Sequence, residues 1–331
     1  MFYTQLPDKK VRCELCPHHC IIDVAKRGLC RNRENQNGKL ITLVYNKPCS
    51  YHREPIEKAP FYHFLPGTMR ITIATTGCNQ QCKYCQNWPI SQANVEDVKS
   101  YYLTPSQIVQ DALRESIPII CFTYTEPIVF YEYMYDIAVL ARKAGIKTAV
   151  VSGGFINPKP LLELCKVVDA IKIDLKGFEE DFYRKVCASQ LQPVLDALKI
   201  IAQSNIHLEI VNLIVPTLND DTATIKQMCL WIKDNLGTDI PLHFSRFFPN
   251  YKLQNLPPTP IITLETAASI AKQVGLNYVY LGNVLGHQLE NTYCPKCHKL
   301  LIARKGYMVV QNHIQDNKCK YCGHKIYGVF K

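Results

Sequence analysis

Sixteen cysteines stand in this chain of 331 residues, and most of them fall in three tight clusters. Four lie between Cys13 and Cys30, three between Cys78 and Cys85, and four between Cys294 and Cys322. The other five (Cys49, Cys121, Cys165, Cys187 and Cys229) are scattered and isolated. Gaps of two or three residues suit a shared metal, whereas disulfides usually join more distant positions. In a reducing compartment metal ligation is the stronger reading. A chain of this length suits a core of about 200 residues plus attachments. Its hydrophobic fraction of 47% is enough to bury such a core.

The clusters mark three zones. Residues 1–66 are rich in Cys, His and Pro with little periodicity, and read as a metal-binding module. Residues 67–285 alternate short β-branched runs with helical patterns, and residues 286–331 carry two Cys pairs around a strand-like middle. In the middle zone the expected strands are Arg70–Thr75, Ile119–Thr123, Thr148–Val151, Ala170–Asp174, His207–Ile214, Pro241–Ser245 and Tyr278–Leu281. Helices are expected over Pro105–Glu115, Ile128–Lys143, Pro160–Lys166, Leu191–Gln203, Thr222–Asn235 and Leu264–Val274. Short apolar strands alternating with amphipathic helices indicate an α/β fold, a parallel sheet with helices on its outer face. Right-handed crossovers wind such a sheet into a full or partial barrel, with its chemistry on loops at the C-terminal ends of the strands.

Immediately after the first of these strands comes Gly77-Cys78-Asn79-Gln80-Gln81-Cys82-Lys83-Tyr84-Cys85, a C-x₃-C-x₂-C spacing. Three thiolates leave one iron of a cubane without a protein ligand. A structural zinc site would want a fourth ligand nearby, and none follows. The motif, its place after strand one and the aromatic Tyr84 before the last Cys resemble the radical S-adenosylmethionine (SAM) superfamily. That resemblance implies a partial barrel of (β/α)6 type and a [4Fe–4S] cluster on Cys78, Cys82 and Cys85. It also implies that the open iron chelates the amino and carboxylate groups of SAM, with Tyr84 near the adenine. An external low-potential donor of flavodoxin or ferredoxin type would drive cleavage of SAM to a 5′-deoxyadenosyl radical.

The resemblance continues strand by strand. Thr123-Tyr124-Thr125-Glu126-Pro127 looks like the family's Gly-Gly-Glu-Pro loop, with Tyr124 and Thr125 where the glycines stand, and implies that Glu126 meets the SAM amino group. Ser152-Gly153-Gly154 follows the third strand, where the superfamily lets backbone and small side chains approach the ribose or carboxylate; by itself it is also a turn signal. Asp174-Leu175-Lys176 matches the Asp-x-Lys of glycyl-radical-enzyme activases, which assigns Lys176 to the SAM carboxylate and Asp174 to the surrounding polar network. Strand alternation puts both side chains on one face. Val215-Pro216-Thr217-Leu218-Asn219-Asp220 resembles the activases' Pro-Gly-x-Asn-Asp turn, with Asn219 or Asp220 expected to cap the next helix. His243 falls where activases have a histidine near SAM, although a lone strand histidine is more often a satisfied core residue.

Glu54–Gly67, Gly77–Ile90, Phe122–Pro127 and Tyr280-Leu281-Gly282-Asn283 running into the Cys-rich tail narrow the resemblance. They are similar to the radical SAM member of the AmmeMemoRadiSam system, a group related to pyruvate formate-lyase activating enzymes and found with Memo-type and AMMECR-type proteins. This implies the cofactor chemistry and leaves the substrate open.

At the C-terminal end, Cys294-x₂-Cys297 and Cys319-x₂-Cys322 are two knuckles whose sulfurs close a tetrahedron around Zn²⁺, the pattern of a zinc ribbon. At the N-terminal end, Cys13-x₂-Cys16-x₃-Cys20-x₉-Cys30 supplies four more sulfurs. Zinc is the first choice there and an auxiliary [4Fe–4S] cluster the second, with His18 and His19 as competing ligands.

The formal net charge of +10 shrinks once metals are counted. A three-thiolate cluster contributes roughly −1 and a tetrathiolate zinc roughly −2. No compact Arg/Lys tract is present, so nucleic acid is not the expected partner. No apolar run approaches the roughly 18 residues that span a bilayer, and the N-terminus lacks a signal-peptide pattern, so the expectation is a cytoplasmic protein off the membrane. Three functions compete with an unassigned small-molecule or protein substrate: activation of a glycyl-radical enzyme, modification of RNA, and a non-catalytic iron–sulfur or zinc scaffold. The pattern of Glu126, Asp174 and Lys176 argues against the scaffold, which needs none of them.

Overall fold

A computed structural model describes residues 1–331. Its centre is an eight-stranded sheet. In chain order the strands are β1 (Ser50–Pro55), β2 (Met69–Ala74), β3 (Ile119–Phe122), β4 (Lys147–Ser152), β5 (Ala170–Asp174), β6 (His207–Ile214), β7 (Leu242–Arg246) and β8 (Val279–Gly282). They lie side by side in that same order. All neighbours from β2 to β8 are parallel, whereas β1 runs antiparallel to β2, from Ser50 opposite Ala74 to Pro55 opposite Met69. β1 and β8 do not pair with each other, so the sheet stays open as a partial barrel.

One long helix follows each of β2 to β7: α1 (Pro105–Arg114), α2 (Tyr131–Lys143), α3 (Pro158–Cys165), α4 (Leu191–Ala202), α5 (Thr222–Leu236) and α6 (Ile261–Val274). Their starts are written locally. Thr104 caps α1 in a reciprocal box, its hydroxyl accepting from the Gln107 amide while the Gln107 side chain accepts from the Thr104 amide at 2.8 Å. Pro105 then fills the first turn, where no amide hydrogen is needed. Asp221 caps α5 through the Thr224 amide at 2.8 Å. The expected caps, Asn219 and Asp220, instead tighten the preceding turn by accepting from the amides of Val215 and Thr217. Strands β3 and β5 are buried along nearly their whole length, as parallel strands covered on both faces must be.

The strand Ser50–Pro55 departs from the sequence boundary at residue 66, because this stretch belongs to the central sheet. Beyond it, Ile56, Phe61 and Phe64 pack with Ile119, Ala149 and Ala170 near the starts of β3, β4 and β5. These apolar side chains plug the N-terminal end of the barrel and leave the opposite end for chemistry. Ile56, Phe61, Phe64 and Ile119 each contribute about 1.5–3 kcal/mol by leaving water.

The N-terminal segment folds into a three-stranded antiparallel sheet (Tyr3–Gln5, Val11–Cys13, Ile21–Ile22) and a hairpin (Arg33–Gln36, Lys39–Thr42). Arg33 in the hairpin grips Glu132 of α2 with both ends of its guanidinium, at 3.1 and 2.6 Å. The C-terminal segment is an antiparallel sheet of Thr292–Tyr293, Leu300–Lys305 and Met308–Asn312, followed by a two-stranded piece, Ile314–Gln315 with Lys318–Cys319. No helix is long and apolar enough to cross a membrane.

Candidate active site

The loop after β2 carries the three cysteines of the middle cluster. Its backbone is strapped down on one side, where the Gln81 and Lys83 amides donate to the carbonyls of Cys187 and Val186, both at 2.9 Å. Cys187 ends a π-helical turn, Tyr183–Cys187, a geometry often found at functional sites. On the other side, a Cβ on Gly77 would stand 2.4 Å from the Cys30 carbonyl, so only glycine lets the N-terminal segment approach this closely.

Cys78, Cys82 and Cys85 all open on one cavity of about 400 Å³, a size that suits a small-molecule ligand. Tyr84, Glu126, Gly153, Asp174 and Lys176 line the same cavity. It lies where the loops after β2, β3, β4 and β5 converge, at the C-terminal ends of the strands. Burial pushes the Cys78 thiol well above its usual range, so a metal rather than the protein alone would hold these sulfurs as thiolates. No three of the sulfurs here gather as closely as a zinc tetrahedron requires. Three separated thiols facing a cavity fit the donor set of a cubane with one uncapped iron.

Glu126 is the hub of the opposite wall. Its Oε1 accepts from Ser152 Oγ at 2.7 Å and from the Ile128 amide at 3.2 Å, and its Oε2 accepts from the Gly153 amide at 2.8 Å. Burial raises its pKa, and these three donors work against that rise. Ser152 does not line the cavity and reaches it only through Glu126. Gly153 is closely approached, because a Cβ there would stand 2.0 Å from Gln80 Oε1 and displace that side chain.

Of the two residues at the family's glycine positions, Tyr124 keeps a glycine-like backbone and Thr125 does not; Thr217, in the turn after β6, also has one. Tyr124 has φ of 66° and Thr217 also has φ of 66°, a region that side chains normally avoid. The Tyr124 hydroxyl donates to Glu54 of β1 at 2.5 and 2.7 Å, which anchors the loop in that conformation.

Asp174 and Lys176 point to one side as alternation requires, with Lys176 Nζ 3.5 Å from Asp174 Oδ2. Lys172, two residues earlier, places its Nζ 3.6 Å from Asp174 Oδ1. Burial works to discharge Lys176, but the neighbouring Cys82 and Asp174 outweigh it and hold the ammonium charged. A fixed cation beside a carboxylate-sized space is what an amino-acid ligand needs.

His243 lies elsewhere. Its Nε2 meets Glu209 Oε2 at 2.7 Å, and His207 Nε2 meets Glu209 Oε1 at 2.9 Å. The amides of Tyr62 and His63 also donate to Glu209. All of Glu209's acceptors are used inside the barrel, and His243 does not line the cavity. The resemblance places this histidine near SAM; here its ring is committed to a buried carboxylate.

Three neighbours of the site carry no sequence signal of their own. Cys187 sits with its sulfur 3.6 Å from the Tyr84 hydroxyl. Gln80 Nε2 donates to Ser189 Oγ at 2.9 Å. The Lys176 amide donates to the Tyr183 hydroxyl at 3.0 Å. These contacts join distant segments, so spacing within the chain cannot announce them.

At the C-terminal end, Cys294, Cys297, Cys319 and Cys322 bring their sulfurs within 4.8 Å of one another. The Cys294–Cys322 and Cys297–Cys319 pairs are 3.6 and 3.7 Å apart. A tetrahedron with Zn–S of about 2.3 Å has edges of about 3.8 Å, so the four suit zinc. At the N-terminal end, Cys13, Cys16, Cys20 and Cys30 line one small apolar cavity with His18 and Arg33. His18 Nε2 contacts the Asn79 carbonyl at 2.7 Å and His19 Nδ1 contacts Glu14 at 3.0 Å, which leaves one ring nitrogen of each without a partner in the protein.

An open α/β barrel whose strand ends gather three thiols, a buried carboxylate and a fixed lysine around one cavity defines a class of iron–sulfur proteins that handle a small charged ligand. The chain contains a radical SAM superfamily domain, whose profile matches residues 72–229, and is homologous to pyruvate formate-lyase activating enzymes. An uncharacterized protein of Methanocaldococcus jannaschii is 48% identical over 328 residues, 98% of each chain. The pyruvate formate-lyase-activating enzyme of Clostridium pasteurianum is 25% identical over 210 residues, 58% of this chain and 84% of that one. Among solved structures, Streptococcus suis SuiB bound to S-adenosylmethionine is similar with a TM-score of 0.52 at 11% identity, over 72% of this chain and 56% of SuiB, a likeness of fold alone.

Proposed function

We propose that Cys78, Cys82 and Cys85 hold a [4Fe–4S] cluster, that SAM occupies the adjoining cavity, and that the pair initiates hydrogen-atom abstraction from a small-molecule or protein substrate. The observation that carries this reading is the convergence of the three thiols with Glu126, Gly153 and Lys176 on one cavity. Bound there, the cluster and SAM supply a one-electron reductive cleavage that yields methionine and a 5′-deoxyadenosyl radical.

The chain's own residues do the positioning. Lys176 receives the ligand's carboxylate, while Asp174 keeps the lysine aimed. Glu126, already fixed by Ser152 and two amides, presents its remaining lone pairs to the ligand's amino group. Gly153 gives the ligand access to the wall, and Tyr84 offers a buried aromatic face for the adenine. The plug of Phe61 and Phe64 keeps water from entering through the barrel's far end.

The C-terminal tetrathiolate holds zinc in this reading. An electron donor of flavodoxin or ferredoxin type reduces the enzyme, and the resemblance across both end modules supports action alongside Memo-type and AMMECR-type proteins. Similarity to a pyruvate formate-lyase-activating enzyme favours a second reading, in which the substrate is a glycine on a partner protein. Anaerobically reconstituted protein given dithionite and SAM is expected to release 5′-deoxyadenosine, and Cys82→Ala to release none. A fully loaded wild-type protein that leaves SAM intact would overturn the proposal. A glycyl EPR signal on a co-incubated partner selects the second reading.

A further inference from the structure

The three cysteine clusters differ in how closely their sulfurs gather. The C-terminal four are drawn within 4.8 Å, as a single zinc ion demands. No such gathering occurs among Cys13, Cys16, Cys20 and Cys30, nor among Cys78, Cys82 and Cys85. In a cubane each cysteine caps its own iron, so the ligand sulfurs are held apart by the body of the cluster. Neither the N-terminal set nor the SAM-cluster set draws three sulfurs together as the zinc-like tail does.

The surroundings agree. The four cysteines share a cavity with Leu15, Ile22, Ile128 and Val129, a dry apolar lining that suits an iron–sulfur cluster. Arg33 also lines this cavity and is almost wholly buried; its Nε has no partner in the protein. A cluster sulfide would give that N–H an acceptor, and the guanidinium would offset the negative charge of four thiolates. We infer that Cys13, Cys16, Cys20 and Cys30 bind a second [4Fe–4S] cluster. This reverses the order in which the sequence ranks zinc and iron at this site.

The position also suggests what the second cluster is for. Asn79 lines the N-terminal cavity, while its two chain neighbours, Cys78 and Gln80, line the large one. The stretch Cys78–Gln80 therefore faces both cavities. His18 contacts the Asn79 carbonyl, and the Asn32 side chain donates to the Thr76 carbonyl, so the two loops are hydrogen-bonded along their length. With cysteine on all four irons the second cluster has no vacant position for a substrate. Its chemistry is one-electron relay: it takes one electron from a low-potential flavodoxin- or ferredoxin-type donor and passes one to the cluster on Cys78, returning to its oxidised state.

The test is a metal count on the anaerobically reconstituted full chain, with EPR of the dithionite-reduced protein. About eight irons and one zinc per chain are expected, with two distinct reduced-cluster signals. Cys13→Ala/Cys16→Ala should fall to about four irons, lose one of the signals and keep its zinc. Cys78→Ala/Cys82→Ala should also keep about four irons, which separates this site from the SAM site. Cys294→Ala/Cys297→Ala should lose zinc and keep its irons. About four irons with two zincs in the wild type would overturn the inference, and that count does not depend on any variant folding.

Discussion

The Gly153 amide donates to Glu126 Oε2 at 2.8 Å, which ties the loop after β4 to the carboxylate that follows β3. The same glycine would, with a Cβ, stand 2.0 Å from Gln80 Oε1 in the cysteine loop after β2. Three loops therefore meet at one residue, where a side chain would have to displace Gln80. In Gly153→Ala the Gln80 side chain must swing away from Ser189, and the Glu126 wall shifts with it. SAM affinity is expected to fall by at least about tenfold, about 1.4 kcal/mol, while iron content stays at the wild-type level. Binding measured on matched iron-loaded samples checks this, and unchanged affinity would remove Gly153 from the site.

The N-terminal segment is pinned to the barrel by a buried ion pair whose strength depends on pH. Burial alone would raise the Glu132 carboxyl, but Arg33 outweighs it and holds the group down from 4.5 to about 2. A depressed carboxylate stabilises the fold above its unfolded pKa and loses that contribution as pH falls through the folded value. The window is therefore pH 4.5 down to about 2, and the contribution is about 3 kcal/mol. Glu132→Gln should be less stable than wild type at pH 6 and converge with it in strong acid. Thiolate sites also lose metal in acid, so the difference between the two proteins in urea unfolding is the quantity to follow.

His243 separates two roles that the sequence leaves together. Its hydrogen bond to the buried Glu209 predicts a loss of about 1.5–3 kcal/mol of stability in His243→Ala. SAM affinity in the iron-loaded variant should match wild type, because the ring does not face the cavity. A variant of native stability with weakened SAM binding would place His243 back at the ligand.

The C-terminal module rests on Arg304. Its Nη1 donates to the Glu290 carbonyl at 3.0 Å and to Thr292 at 2.9 Å, and its Nη2 donates to the Tyr62 carbonyl at 2.8 Å. The strands around the four cysteines are short, so the proposed zinc would supply much of the folding free energy of residues 292–331. Stripping zinc with a chelator should open this segment to protease while leaving the barrel intact. Cleavage that ignores the metal would mean the module folds by packing alone.

The barrel was legible in the sequence because each buried parallel strand is a short apolar run followed by an amphipathic helix. All seven parallel strands and six helices fall within a few residues of where their patterns place them. β1 was not legible. Its residues Ser50, Tyr51, His52, Arg53, Glu54 and Pro55 show no apolar alternation, since an edge strand needs little apolar surface. At the cavity, Cys78, Cys82, Cys85, Glu126, Asp174 and Lys176 announce themselves by local spacing on loops at strand ends. Glu209 does not, because its partners His207, His243, Tyr62 and His63 come from three separate segments. The place of Cys187 beside Tyr84 was hidden for the same reason, being set by the π turn and by two backbone hydrogen bonds.

The most direct test of the central claim is EPR of the reduced cluster with and without SAM, on the variant Cys13→Ala/Cys16→Ala so that only the cavity cluster contributes. If Cys78, Cys82 and Cys85 leave one iron open to the cavity, SAM should shift the signal, and ENDOR should show a nitrogen coupling that changes when the ¹⁴N of the SAM amino group is replaced by ¹⁵N. A fully loaded cluster whose spectrum ignores SAM at saturating concentration would contradict the account.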